Sequence, residues 1–136
     1  MAKKTPDFEV NKKKYTNLAI RWCKENFGVN ERKRTKLQLE LTYRKRTIKR
    51  SMVFGNYCFY RNKITIHLGE CKTMFDLIST IIHEYTHYLQ SRNQYKSYER
   101  THCYYTNPCE REARKNEEKY TKLCIREIRN IYNKRI

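Results

Sequence analysis

The chain has 136 residues, enough to bury one core without disulfide or metal staples and too few for two ordinary domains. Lys and Arg number 31 against 14 Asp and Glu, a net charge of +17 that calls either for an acidic partner or for a bias toward Lys in an A/T-rich genome. Three Gly, two Pro and 13% aromatic residues exclude a low-complexity or mostly disordered chain, and no apolar run approaches the roughly 18 residues of a membrane span. The N-terminus, Met1-Ala2-Lys3-Lys4, lacks the apolar stretch of a secretion signal. The expectation is one intracellular, cytoplasmic domain over residues 1–136, monomeric and without membrane contact, with residues 1–14 as a basic tail. Cys23, Cys58, Cys71, Cys103, Cys109 and Cys124 show no C-x-x-C spacing, so free thiols are expected.

Tyr15, Leu18, Ala19, Trp22 and Phe27 recur at helical spacing over Lys12 to Phe27, and Gly28 follows where a C-terminal cap belongs. From Lys36 the period changes to two: Leu37, Leu39, Leu41 and Tyr43 share one face of a half-buried strand. A second apolar segment runs from Ile48 to Tyr60 with Gly55-Asn56 as a turn or bulge, and Ile64, Ile66 and Leu68 alternate in a third. Three or four antiparallel strands are expected. Thr73 then caps an amphipathic helix carrying Met74, Leu77, Ile78, Ile81, Tyr85, Tyr88 and Leu89 and running to about Gln94. Asn107-Pro108 opens a last helix with Ala113, Tyr120, Leu123, Cys124, Ile128 and Ile131. The class is α+β in the order helix, sheet, helix, helix.

Charge is uneven: residues 1–68 hold 18 basic and 5 acidic residues, whereas residues 69–136 hold 13 and 9. Arg32-Lys33-Arg34, Arg44-Lys45-Arg46 and Lys49-Arg50 would flank the first strand as a basic rim, read equally well as solvated strand ends or as a nucleic-acid surface. Tyr43-Arg44 and Tyr60-Arg61 set aromatic rings beside cations, which suits stacking on single strands.

The chemistry is concentrated in His83-Glu84-Tyr85-Thr86-His87, an H-E-x-x-H sequence inside the strongest helical pattern of the chain. Residues four apart on a helix share a face, so both imidazoles can reach one Zn²⁺ at about 2.0–2.1 Å. Glu84 points elsewhere and would meet the metal-bound water, taking its proton while zinc lowers the water's pKa toward about 7. That is the chemistry of peptide-bond hydrolysis. A third ligand must come from downstream, where His102, Glu110 and Glu112 are the candidates.

This motif, followed by Asn107-Pro108-Cys109-Glu110-Arg111-Glu112-Ala113, resembles the gluzincin clan of zinc metallopeptidases, and especially its single-domain members, the minigluzincins. The resemblance covers about residues 62–120. It implies a zincin-like fold with an N-terminal helix, a twisted three- to four-stranded sheet, the motif helix and a C-terminal helix that supplies a glutamate ligand. It further implies a Zn²⁺ cofactor, Glu84 as catalytic base, and a protein or peptide substrate. Glu110 fits the clan pattern of a glutamate three residues before a small residue, here Ala113. Glu112 fits another version, in which a residue four on, here Asn116, supports a ligating histidine. Arg114 departs from the first version, where an acidic or amide group often stands. Glu110 also fits a capping box with Asn107, which needs no metal.

His102 belongs to a rival resemblance, to the SprT-like metallopeptidases, which use a third histidine and act on proteins attached to DNA; the net charge suits that reading, while Cys103 stands where that family commonly has Gly. His67 reads as a strand side chain. Tyr98, Tyr104 and Tyr105 lie in the loop expected to face the cleft, where a phenol could donate to an oxyanion. Cys103 and Cys109 are expected as buried small residues, with a thiolate switch on the metal as the alternative. Ile64 and Ile66, on the strand before the motif helix, are expected at the sheet edge where a substrate peptide would add as a further strand. The alternative function is a nucleic-acid-associated protein in which the metal is structural.

Overall fold

A computed structural model describes residues 8–33, 35–43 and 54–134. The elements in chain order are helix α1 (Phe8–Phe27), strands β1 (Gln38–Thr42), β2 (Gly55–Cys58) and β3 (Lys63–His67), and helices α2 (Met74–Leu89), α3 (Arg92–Glu99) and α4 (Pro108–Lys134). Residues 1–7, Arg34, residues 44–53 and residues 135–136 lie outside the described residues, and with them most of the expected basic rim and half of the second apolar segment.

Residues 8–14, expected in a basic tail, are helical from Phe8. Lys12 is 1% exposed: its stem lies in the core, and its Nζ donates to the Leu68 carbonyl at 2.7 Å and meets Glu9 at 3.0 Å. Gly28, with φ +82°, takes the left-handed position after α1, and its N–H donates to the Lys24 carbonyl. The buried face of α1, with Tyr15, Ala19, Trp22 and Cys23, packs on α2 and α4.

The sheet is mixed, in the order β1-β3-β2, with β1 parallel and β2 antiparallel to β3. This corrects two expectations. The strands are not all antiparallel, and the strand of Ile64 and Ile66 is central: both side chains are fully buried, and among the described residues β1 and β2 are the edges. The most apolar strand takes the doubly flanked position, while β1, which turns Gln38 and Glu40 to solvent, suits the outside. The β2–β3 hairpin turns through Asn62 at φ +49°. Asn tolerates that conformation, and here its amide is used twice, accepting from the Tyr57 hydroxyl at 2.6 Å and donating to the Thr35 carbonyl at 2.7 Å.

Gly55 is in β2, not in a turn. A Cβ there would stand 2.7 Å from the Thr65 carbonyl oxygen and 2.9 Å from Thr80 Cγ2, so glycine lets the edge strand close onto α2.

Thr73 caps α2 in a full capping box with Asp76. Leu77, Ile78, Ile81 and Ile82 are fully buried among the sheet, α1 and α4, each contributing about 1.5–3 kcal/mol by burial. The helix stops at Leu89, short of the expected Gln94, because Asn30 closes it: its side-chain amide donates to the Tyr88 and Leu89 carbonyls, and its backbone N–H donates to the Tyr88 hydroxyl. Gln90 is then extended, and α3 begins after Ser91.

Gly55→Ala is expected to lower unfolding stability by about 1–3 kcal/mol, the range for overpacking. Adding Thr80→Ser should recover only part of the loss in urea denaturation, since the Thr65 carbonyl still blocks the methyl group.

Candidate metal centre

His83 and His87 lie one turn apart on α2, at the floor of a cleft of about 760 Å³ beneath β2. One ligand atom each from His83, Glu84 and His87 lies within 4.8 Å of the others, a grouping able to hold a metal ion. A further carboxylate enters from α4: Glu110 Oε1 stands 3.0 Å from Nε2 of His83 and 3.0 Å from Nε2 of His87. Glu110 is 2% exposed, and its other oxygen accepts from the Tyr95 hydroxyl on α3 at 2.5 Å.

Hydrogen-bond bookkeeping fixes the imidazoles. Gln90 Nε2 donates to the Cys109 carbonyl and to Glu112 Oε1, both at 2.9 Å, so the amide oxygen must face His87. That oxygen is 2.7 Å from His87 Nδ1, which therefore carries a proton. His83 Nδ1 faces Glu117, an acceptor only, and is a donor for the same reason. Both Nδ1 protons point outward, and both Nε2 atoms face one carboxylate oxygen. Neutral imidazoles would present lone pairs to that oxygen, so positive charge must reconcile them: a proton on each Nε2 or one metal ion shared by all three atoms. Tetrahedral zinc with bonds of about 2.0–2.1 Å sets its donors about 3.4 Å apart. The donor set fits a divalent cation with small adjustments.

The electrostatics agree. Burial opposes charge on His83, yet its hydrogen bonds to Glu110 and Glu117 push it up to about 10. Burial likewise works to raise Glu110, but hydrogen bonds from His83 and His87 hold its carboxyl well below the usual range. Glu84, 6% exposed, is raised by burial, against the pull of the two histidines. The Tyr104 side chain is largely exposed, but its phenol, on the wall of the same cleft, is raised to about 12, first by partial desolvation and then by the Glu110 charge. Three carboxylates, Glu84, Glu110 and Glu117, thus converge where positive charge is favoured.

The other candidates are placed elsewhere. Glu112 is exposed and bonded to Gln90, one step behind His87. His102 is exposed, bonded to Thr101 and set edge-on to the Tyr98 ring. Asn116 donates to the Thr86 hydroxyl, not to a histidine. Asn107 caps α4 through Cys109 N–H, which leaves Glu110 free of the expected capping box. Arg114 donates to the Tyr105 carbonyl and stacks on its ring, away from the histidines. Cys109 is buried as expected, whereas Cys103 is exposed and bonded to Thr106, whose hydroxyl lowers the thiol pKa. His67 is buried in β3, and buried Ile64 and Ile66 do not line the cleft.

Sequence reasoning missed Gln90, Tyr95 and Glu117. Glu117 had a usable signal: Glu110, Ala113 and Glu117 follow i, i+3, i+7 on one face of α4. Comparison with known families, with curated proteins and with solved structures finds no match to this chain. No helix among the described residues is long and apolar enough to cross a membrane.

Glu117→Ala is expected to weaken divalent-metal affinity by about 10–100-fold by releasing His83, with Glu117→Gln intermediate because an acceptor remains. Chelator competition on the purified variants measures both.

Proposed function

We propose that this protein is a zinc-dependent metallopeptidase of gluzincin type, with His83, His87 and Glu110 as ligands and Glu84 as general base. The observation that carries this reading is the convergence of both Nε2 atoms on Glu110 Oε1, with both Nδ1 protons committed outward. Two histidines and one carboxylate form the ligand set of a catalytic site, which keeps a position for water or substrate. Bound zinc supplies Lewis acidity, making water a nucleophile near neutral pH and polarising a carbonyl.

The chain's own groups do the rest. Glu84 sits next to His83 but turns by about 100° around the helix, toward the cleft that it lines. Its carboxylate takes the proton of the attacking water and delivers it to the leaving amine. The Tyr104 hydroxyl, on the same wall, donates to the oxygen that gains charge as the carbonyl becomes tetrahedral. Strand β2 borders the cleft, and its side that is unpaired among the described residues would take an extended peptide, the role expected of β3. Phe54 and Phe75 give the entrance apolar surface for substrate side chains.

Glu84→Gln is expected to retain zinc and lose peptide hydrolysis by about 10²–10⁴-fold, the range for a general base. Parent-like cleavage by that variant would remove the proposed mechanism.

Glu110→Gln is expected to weaken zinc binding by more than about 100-fold, beyond the range of groups behind the ligands. Glu112→Gln, acting only through Gln90, should stay below about tenfold. Zinc dissociation constants of the two variants decide the third ligand, and a larger loss for Glu112→Gln would reassign it.

A further inference from the structure

Phe59 is a wall shared by two clefts. On one side its ring centroid lies 6.4 Å from that of His87, in the metal centre. On the other side opens a cleft of about 810 Å³ whose lining includes Arg32, Lys33, Ser91 and Arg92. The Lys33 ammonium is drawn onto aromatic rings, 4.9 Å from the centroid of Tyr57, 5.0 Å from Phe59 and 5.9 Å from Tyr88, and it donates to the Tyr57 hydroxyl at 2.7 Å. Arg92 stacks on the exposed ring of Tyr60 at 3.6 Å. None of the three cations is ion-paired with a carboxylate among the described residues, although Glu31 also lines the cleft. Three cations lining one concavity, one of them partly desolvated, favour an anion there.

The form of the anion follows from what the cleft adjoins. Strand β2 borders the metal centre and runs directly into Phe59. A peptide paired with its edge advances about 3.3 Å per residue, so two or three residues carry it from the metal centre past Phe59. A nucleic-acid strand would be better served by cations spread along a groove than by three gathered at one pocket.

We infer that the cleft of Arg32, Lys33 and Arg92 is a specificity subsite that takes the carboxylate of a substrate Asp or Glu two or three residues from the scissile bond. The inference rests on the peptidase reading for its substrate and on the cleft alone for its charge preference.

The test uses the full-length, zinc-loaded chain and a pool of randomised peptides, followed by matched peptides with Glu or Gln at the selected position. The expected kcat/KM ratio of Glu to Gln peptide is about tenfold or more, as for hydrogen bonds to a charged group. Arg92→Gln should bring that ratio toward one, and Arg92→Glu should favour a Lys peptide. Arg92 is chosen because Lys33 is embedded among rings on which folding depends; Arg32→Gln, at an exposed position, serves as a second variant. The Glu84→Gln chain, titrated with the same fluorescently labelled peptides, reads binding apart from catalysis. Tighter binding of the Glu peptide that depends on Arg92, with no cleavage by the parent, would uphold the subsite and remove the peptidase reading. Cleavage of both peptides at equal kcat/KM would overturn the subsite and leave the peptidase reading intact. Equal affinity of both peptides would overturn it as well, as would a labelled single-stranded DNA that binds through Arg32 and Arg92 while the peptides do not discriminate.

Discussion

Everything at the candidate metal centre depends on how closely α4 approaches α2. Glu110 can reach both imidazoles only because Ala113, one turn further along α4, is fully buried and brings no bulk to the contact. The same seam buries Thr121 and carries the bond from Asn116 to Thr86, so the two helices are fixed in register by polar contacts as well as by packing. At the far end Trp22 of α1 donates to Glu127 of α4 at 2.7 Å, and Cys23 and Cys124 are both fully buried. A helix braced along its length holds a carboxylate more precisely than a loop would.

Around the three donors stands a second ring of contacts from different parts of the chain. Glu117 orients His83, Gln90 orients His87, and Gln90 is itself set by Glu112 and by the Cys109 carbonyl. Tyr95 is the exception in kind. It comes from α3, which has no buried residue and meets the body through Tyr95, on Glu110, Phe59 and the His87 ring, and through Arg92 and Lys96 on the Tyr60 ring. Elements with so little buried surface occupy the low-stability end of a native structure. The centre is therefore braced chiefly by α2 with α4, and α3 adds its contacts from the surface side.

How much of this was legible in the sequence depended on whether the deciding interaction was local. The H-E-x-x-H helix and its Thr73–Asp76 cap follow from spacing within one segment, and both are present. Glu110 was ambiguous because one residue type serves both a capping box and a metal, and only α2, more than 20 residues away, decides that it faces the histidines. The end of α2 was misjudged for the same reason: the group that stops it, Asn30, lies 58 residues earlier in the chain. Strand order was also out of reach, since alternation shows that Ile64 and Ile66 face a core but not that β3 has neighbours on both sides. Glu117 was recoverable, because its face on α4 follows from Glu110 and Ala113 once either is placed against α2.

The strongly basic composition acquires a spatial meaning from these placements. Four of the chain's 14 acidic residues, Glu84, Glu110, Glu112 and Glu117, gather at or just behind the metal centre, although basic residues number 31. Lys33 stands one ring away and makes no ion pair with them, because Phe59 and Tyr57 fill the space between. In water such charges would relax toward one another; an aromatic wall excludes water and holds them apart. Two adjoining clefts of opposite sign therefore meet at Phe59: cations line one side of the ring, and the two histidines with their carboxylates line the other. On the peptidase reading proposed above, such a partition would set the register of an acidic substrate lying across it, with the net charge as the long-range attraction.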